Sequence, residues 1–131
     1  MRTKRDLFYA WLLATLLSGL PSTLYALLTG GDPLEATRAA GAMVRLPESI
    51  AAAAVVHAAV SLFWSVLLWF ALPFRHTTLW ALAASAAIAV LDLRIIAPAF
   101  FPEVAALAFW PQFADHLMWG ACVGLTLEYL K

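Results

Sequence analysis

Five ionisable side chains fall inside long apolar stretches of this chain: His57, Asp92, Arg94, Asp115 and His116. A charged group at the centre of a bilayer costs roughly 2.5–3.5 kcal/mol on insertion scales, so each needs a partner or a function. Three chemistries suit the set. The groups can hydrogen-bond between helices and hold them together. Asp92 with His57 and His116 can serve a proton- or substrate-linked pathway. His57 and His116, projecting from facing helices, can ligate a haem or a metal ion. The readings rank in that order. No haem motif accompanies the histidines, and two imidazoles alone form a weak ligand pattern. No nucleophile–base pair or Gly-rich phosphate loop is visible, so no catalytic residue is assigned and a non-enzymatic protein is expected. Cys122 is the single cysteine, which excludes an intrachain disulfide and a cysteine-based zinc site. No metal site is assigned, and no cofactor is expected beyond the haem or metal alternative.

The elements that carry these residues are written in the composition. Of 131 residues, 64% are hydrophobic and 12% charged, with a mean hydropathy of +0.86. A soluble domain is about half apolar and about a quarter charged. Such a chain in water would expose apolar patches and aggregate, whereas lipid removes that difficulty. The formal net charge of +0 gives no argument for nucleic acid. The expected partners are the lipid bilayer and either further copies of the chain or another membrane protein.

A spanning helix needs about 20 mainly apolar residues. Four segments qualify, at about 7–28, 47–72, 77–97 and 111–130. The fold expected is an all-α integral membrane protein, one domain over 1–131, with four transmembrane helices in an antiparallel bundle. The first segment follows a basic N-terminus but lacks a small-residue cleavage pattern, so it reads as a span rather than a signal peptide. Pro47 and Pro111 suit the first turn of a helix, where the missing N–H is harmless. Pro73 and Pro98 read as stops. Pro21 lies within the first span and predicts a kink, with Ser18, Ser22 and Thr23 available to the disturbed backbone.

Asp32-Pro33-Leu34-Glu35 reads as a helix start with Asp32 as N-cap. The segment that follows places Glu35, Arg38 and Arg45 on one face, as in a short helix lying at the membrane surface. The link 73–76 is short and predicts that the second and third helices pack as a tight antiparallel pair. Arg2, Lys4, Arg5, Arg75 and Lys131 fall on one side of the membrane, and Arg38 and Arg45 on the other. The positive-inside rule then puts both termini in the cytoplasm, with the chain in a cell membrane.

This threading brings the five ionisable residues into the outer half of the bilayer. Helical phase puts His57, Ser61 and Trp64 on one face, Asp92 with Ser85 and Ala89 on another, and His116 with Gly120 and Gly124 on a third. The last is a small-residue stripe that permits close helix approach. Asp92 is expected to face inward. Arg94, on the far side of its helix, is expected to snorkel or to pair with Asp115.

VVHAAVSLFW, ADHLMWGACVGLTLEYL and SGLPSTLYALL together resemble small four-helix bacterial membrane proteins of unknown function. In those a His-bearing second helix recurs, as does a His-Leu-x-x-Gly-x-x-x-Gly pattern in the fourth, here His116-Leu117 with Gly120 and Gly124. The resemblance covers most of the chain. It implies no activity, and it draws attention to His57 and His116.

Overall fold

A computed structural model describes residues 2–130; Lys131, counted above among the basic residues, lies outside the described residues. Eight α-helices follow one another: α1 Lys4–Leu17, α2 Leu20–Thr29, α3 Glu35–Ala42, α4 Ile50–Ala71, α5 Thr77–Leu91, α6 Ala97–Phe100, α7 Pro102–Ala105 and α8 Phe109–Tyr129. A π-helical turn, Asp92–Ile96, joins α5 to α6 without a break. No strand occurs among the described residues. Three helical stretches are long and apolar enough to cross a membrane: Lys4–Thr29, Ile50–Ala71 and Thr77–Phe100. α8 has 21 residues, but Gln112, Asp115, His116 and Glu128 make it more polar.

The first stretch starts where Thr3 and Asp6 form a capping box: the Thr3 N–H donates to Asp6 Oδ2 at 2.7 Å and the Asp6 N–H to Thr3 Oγ1 at 3.3 Å. It does not bend at Pro21 itself. The helix stops at Leu17, and Gly19 caps a second helix in which Pro21 occupies the first turn. A proline ring clashes with the carbonyl four residues earlier, so the disruption falls one turn upstream, at Ser18–Gly19. Thr29 ends α2, and Gly30, at φ 71°, supplies the left-handed cap.

Proline misplaces two other boundaries. The second span begins at Ile50, three residues after Pro47, because Ser49 is the N-cap; its hydroxyl accepts from the Ala52 N–H at 3.1 Å. Glu48 therefore precedes the first turn. The third span continues past Pro98 to Phe100. The π turn makes this geometrically feasible: the Ala97 N–H reaches back five residues to the Asp92 carbonyl, and the widened turn relieves the clash expected of Pro98. Asp32 caps a turn rather than α3, accepting from the Leu34 N–H at 2.8 Å, and α3 starts at Glu35. Arg45 lies beyond α3, at φ 62°, and shares no helix face with Glu35 and Arg38. α3 folds back along α4, where Gly41 sits so close to the Leu46 carbonyl that a Cβ would collide with it.

Packing does not follow sequence order. α4 and α5 have almost no close backbone contact despite their short link, so the expected tight pair does not form. α4 packs on α1 and α3, while α8 packs on α5, α1 and α2. The reason is volume. α4 turns Trp64 and Trp69 toward the core, which holds backbones apart. α5 offers Ala81, Ser85 and Ala89, all 0% exposed, and these admit Gly120 and Gly124 of α8. A Cβ on Gly120 would run into the Ser85 side chain, and one on Gly124 would lie 2.7 Å from the Thr78 Cα.

The buried set is largely Ala, Ser and Thr, whereas Leu16, Leu28, Phe63, Phe70, Leu79 and Phe100 point outward. Small residues inside and large apolar ones outside suit helices that associate in lipid by close approach.

Gly120→Val is expected to force α5 and α8 apart and to destabilise the fold by about 1–3 kcal/mol, as overpacking does. Gly19→Ala, with nothing within 4 Å of the new methyl, is expected to be near-neutral. Unfolding from mild detergent into SDS measures both; equal losses would refute the packing account.

Candidate functional site

Two irregular stretches of helix face the same region of α8. At the α1–α2 break the Ser22 N–H lacks the carbonyl that an unbroken helix would give it, and it donates to Asp115 Oδ1 at 2.8 Å. Across α8, His116 Nε2 lies 3.3 Å from Asp92 Oδ2, at the first residue of the π turn. The other ring nitrogen, His116 Nδ1, lies 2.8 Å from the Gln112 carbonyl. Consecutive residues of α8 thus engage two neighbouring helices at the points where each departs from α geometry. Both side chains of the Asp92–His116 pair are about three-quarters buried.

His57 joins this layer through the break from the opposite side. Its Nε2 lies 2.9 Å from the Thr15 carbonyl and 3.2 Å from Ser18 Oγ. One turn along α4, Ser61 links three helices: the Thr15 hydroxyl donates to Ser61 Oγ at 2.8 Å, and the Trp119 indole N–H donates to it at 3.0 Å. Ser22 and Thr23 hydroxyls bond the Gly19 carbonyl, at 3.3 and 2.8 Å. Ser18 turns to His57 instead. The contact order, Arg2 on Leu72 and Ser18 on His57, shows α1 and α4 running antiparallel. Thr78 on Glu128 and Asp92 on His116 show the same for α5 and α8.

Of the five residues expected to share a layer, Asp92 and His116 bond each other, Asp115 bonds Ser22 and His57 bonds Thr15 and Ser18. Arg94 stands apart. It is exposed, its guanidinium lies 4.2 Å from the Phe109 ring centroid, and Asp115 is bonded to Ser22 instead of to it. Helical phase is the cause, since Asp92 and Arg94 point to nearly opposite sides. The two histidines do not converge either. His57 turns to the end of α1 and His116 to the π turn, with no partner in common. Both nitrogens of His116 are engaged, so ligating iron or a metal would require breaking these bonds. Among the described residues no cluster of three His, Cys, Asp or Glu side chains could hold a metal ion.

Two clefts near the layer each hold about 60 Å³. One lies under Arg94, beside Leu107 and Phe109. The other lies between α2, Asp32–Ala36 and Leu107–Gln112. Small-molecule sites run to about 300–1,000 Å³. The clefts suit water rather than a substrate.

Sequence reasoning found His57, Asp92, Asp115 and His116, but missed Thr15 and Trp119. It also missed Arg2, whose guanidinium donates to the carbonyls of Trp69, Leu72 and Pro73 and to Thr77 Oγ1, at 2.6–3.2 Å. Glu128 accepts from the Thr78 N–H at 2.9 Å and from its hydroxyl, capping α5 from a neighbouring helix. No protein-family model, curated protein or solved structure matches this chain.

Asp115→Asn keeps an acceptor for the Ser22 N–H and is expected to cost little. Asp115→Leu strands that donor and is expected to cost about 1–3 kcal/mol. The same SDS-unfolding measurement separates them; identical stabilities would mean that the contact contributes nothing to the fold.

Proposed function

We propose that this is a small polytopic protein of a bacterial inner membrane, non-enzymatic, acting as an accessory or scaffold subunit. It crosses the membrane four times as an antiparallel bundle with both termini in the cytoplasm, and α3 rests at the outer surface. One observation carries the reading: His57, Asp92, Asp115 and His116 are each bonded across helices, and the two clefts beside them are water-sized. Asp115 holds α2, Asp92 and His116 join α5 to α8, and His57 and Ser61 join α4 to α1. Such bonds hold helices together in lipid without performing a reaction. α8 lies alongside α5 from Thr78–Glu128 to Asp92–His116, so a membrane crossed by α5 is crossed by α8 as well. The orientation follows from Arg2, Lys4, Arg5 and Arg75 at one end. A partner membrane protein or further copies of the chain would meet the outward apolar faces.

A second reading rests on a different observation. Breaks and π turns in membrane helices recur where ions or protons bind. Here the Asp92–His116 pair sits on one of them, and Asp115 meets the other. A proton-linked role would use Asp92 and His116 as the exchanging pair, with a translocation path completed by oligomerisation.

Proteoliposomes with an imposed pH gradient distinguish the two. The scaffold reading predicts no dissipation beyond that of empty vesicles. The proton-linked reading predicts dissipation that Asp92→Asn removes. For topology, single cysteines in a Cys122→Ala background give the answer. Thr3→Cys and Leu130→Cys are expected to label from the cytoplasmic face, and Thr37→Cys and Glu103→Cys from the other. Labelling of Thr3→Cys and Thr37→Cys from one side would overturn the arrangement.

A further inference from the structure

The net charge of +0 conceals a separation of charge between the two ends of the molecule. Arg2, Lys4, Arg5 and Arg75 gather at one end, with Asp6 and Glu128 as the acids. At the other, Asp32, Glu35, Glu48 and Glu103 outnumber Arg38, Arg45 and Arg94. At the basic end both acids are turned into the fold. Asp6, 5% exposed, is held by the Thr3 N–H, and Glu128 caps the start of α5 through Thr78. Lys4, Arg5 and Arg75 are exposed. Arg2 brings them together: by gripping Trp69, Leu72, Pro73 and Thr77, it draws the start of α1 against the α4–α5 link that carries Arg75. We propose that Lys4, Arg5 and Arg75 form a docking surface for the headgroup of an anionic phospholipid, such as phosphatidylglycerol.

The placement of the cations favours an external anion. Lys4 and Arg5 occupy the first turn of α1, and Arg75 precedes His76, the N-cap of α5. At these positions the helix dipole disfavours positive charge, so the cations do not serve the helices that carry them. The Thr3 and Thr78 N–H groups are already taken by Asp6 and Glu128, so a phosphodiester between the two helix starts would be attracted by the three side chains. Tyr9, Phe74 and Trp80 stand exposed near this end, where amphipathic rings meet the headgroup region. Basic clusters beside a transmembrane helix attract anionic lipid on these grounds. The proposal rests on the membrane reading above.

Native mass spectrometry of the protein from micelles containing equal amounts of phosphatidylglycerol and phosphatidylcholine tests it. Wild type is expected to retain phosphatidylglycerol preferentially, with about a fivefold loss of preference for each cation removed. Combined Lys4→Gln, Arg5→Gln and Arg75→Gln should retain both lipids equally while keeping the wild-type helical circular dichroism. Arg38→Gln with Arg45→Gln, at the opposite end, should keep the preference. Equal retention by wild type, or a preference that survives the triple substitution, overturns the proposal. So does displacement of phosphatidylglycerol by inorganic phosphate at constant ionic strength, which would mark a free-anion site. Reconstitution into phosphatidylcholine vesicles alone keeps the two ideas apart. A chain that does not insert refutes the membrane reading, whereas one that inserts without lipid preference refutes only the docking surface.

Discussion

The close approach of α8 to α5 is the contact on which the rest of the arrangement depends. Gly120 and Gly124 lie against Ser85, Ala81 and Thr78 with no room for a Cβ. Lipid gives helices no hydrophobic reason to associate, so contact area and polar bonds must hold them together, and both require short distances. With α8 seated on α5, His116 comes within reach of Asp92 at one end of the contact and Glu128 within reach of Thr78 at the other. The opposite side of α8 then faces α2 and α4, where Asp115 meets Ser22 and Trp119 reaches Ser61.

The irregular helices become understandable in the same terms. Proline removes a donor and displaces a carbonyl, and inside lipid the freed backbone groups must be satisfied by protein. At the α1–α2 break, Ser22 and Thr23 hydroxyls bond the Gly19 carbonyl, while a carboxylate from α8 takes the Ser22 N–H. At the third span the backbone adjusts instead, by a single π turn that lets the helix run through Pro98. One disruption is thus met by side chains and the other by a change of pitch. In both cases an acidic residue marks the place, because a carboxylate accepts hydrogen bonds and an intramembrane site without such a bond would exclude it.

How much of this was legible depended on whether residue type carried the information. The apolar runs located the three helical stretches long and apolar enough to cross a membrane, and α8, to within a few residues. Helical phase grouped His116, Gly120 and Gly124 on one face and Ser85, Ala89 and Asp92 on another, but it did not say that the two faces meet, as Gly120 on Ser85 and His116 on Asp92 do. Boundaries failed where proline was taken as the signal, since Ser49 is the true cap of α4 and Pro98 is absorbed by the π turn. The pairing of α4 with α5 failed for a different reason. A short link fixes which ends lie together, but it does not decide which faces pack. α4 packs instead on α1 and α3, with Trp64 and Trp69 against the core. The Ser22–Asp115 bond could not be read at all, because a backbone N–H is the same at every position and only the fold reveals which one lacks a partner.

Arg2 shows how a residue outside every apolar run can still govern the architecture. Four carbonyls or hydroxyls at the end of α4 and the start of α5 converge on its guanidinium, and the Phe74 ring lies 4.6 Å away. The last carbonyls of a helix have no partner within it and carry the negative end of its dipole, so a cation there is doubly favoured. Because α4 and α5 barely touch, their link would otherwise be held only at its own termini. Arg2 supplies the missing lateral contact from α1, which also packs on α8. The N-terminal segment therefore closes a ring of contacts, α4 to α1, α1 to α8 and α8 to α5, whose remaining gap is bridged by one side chain.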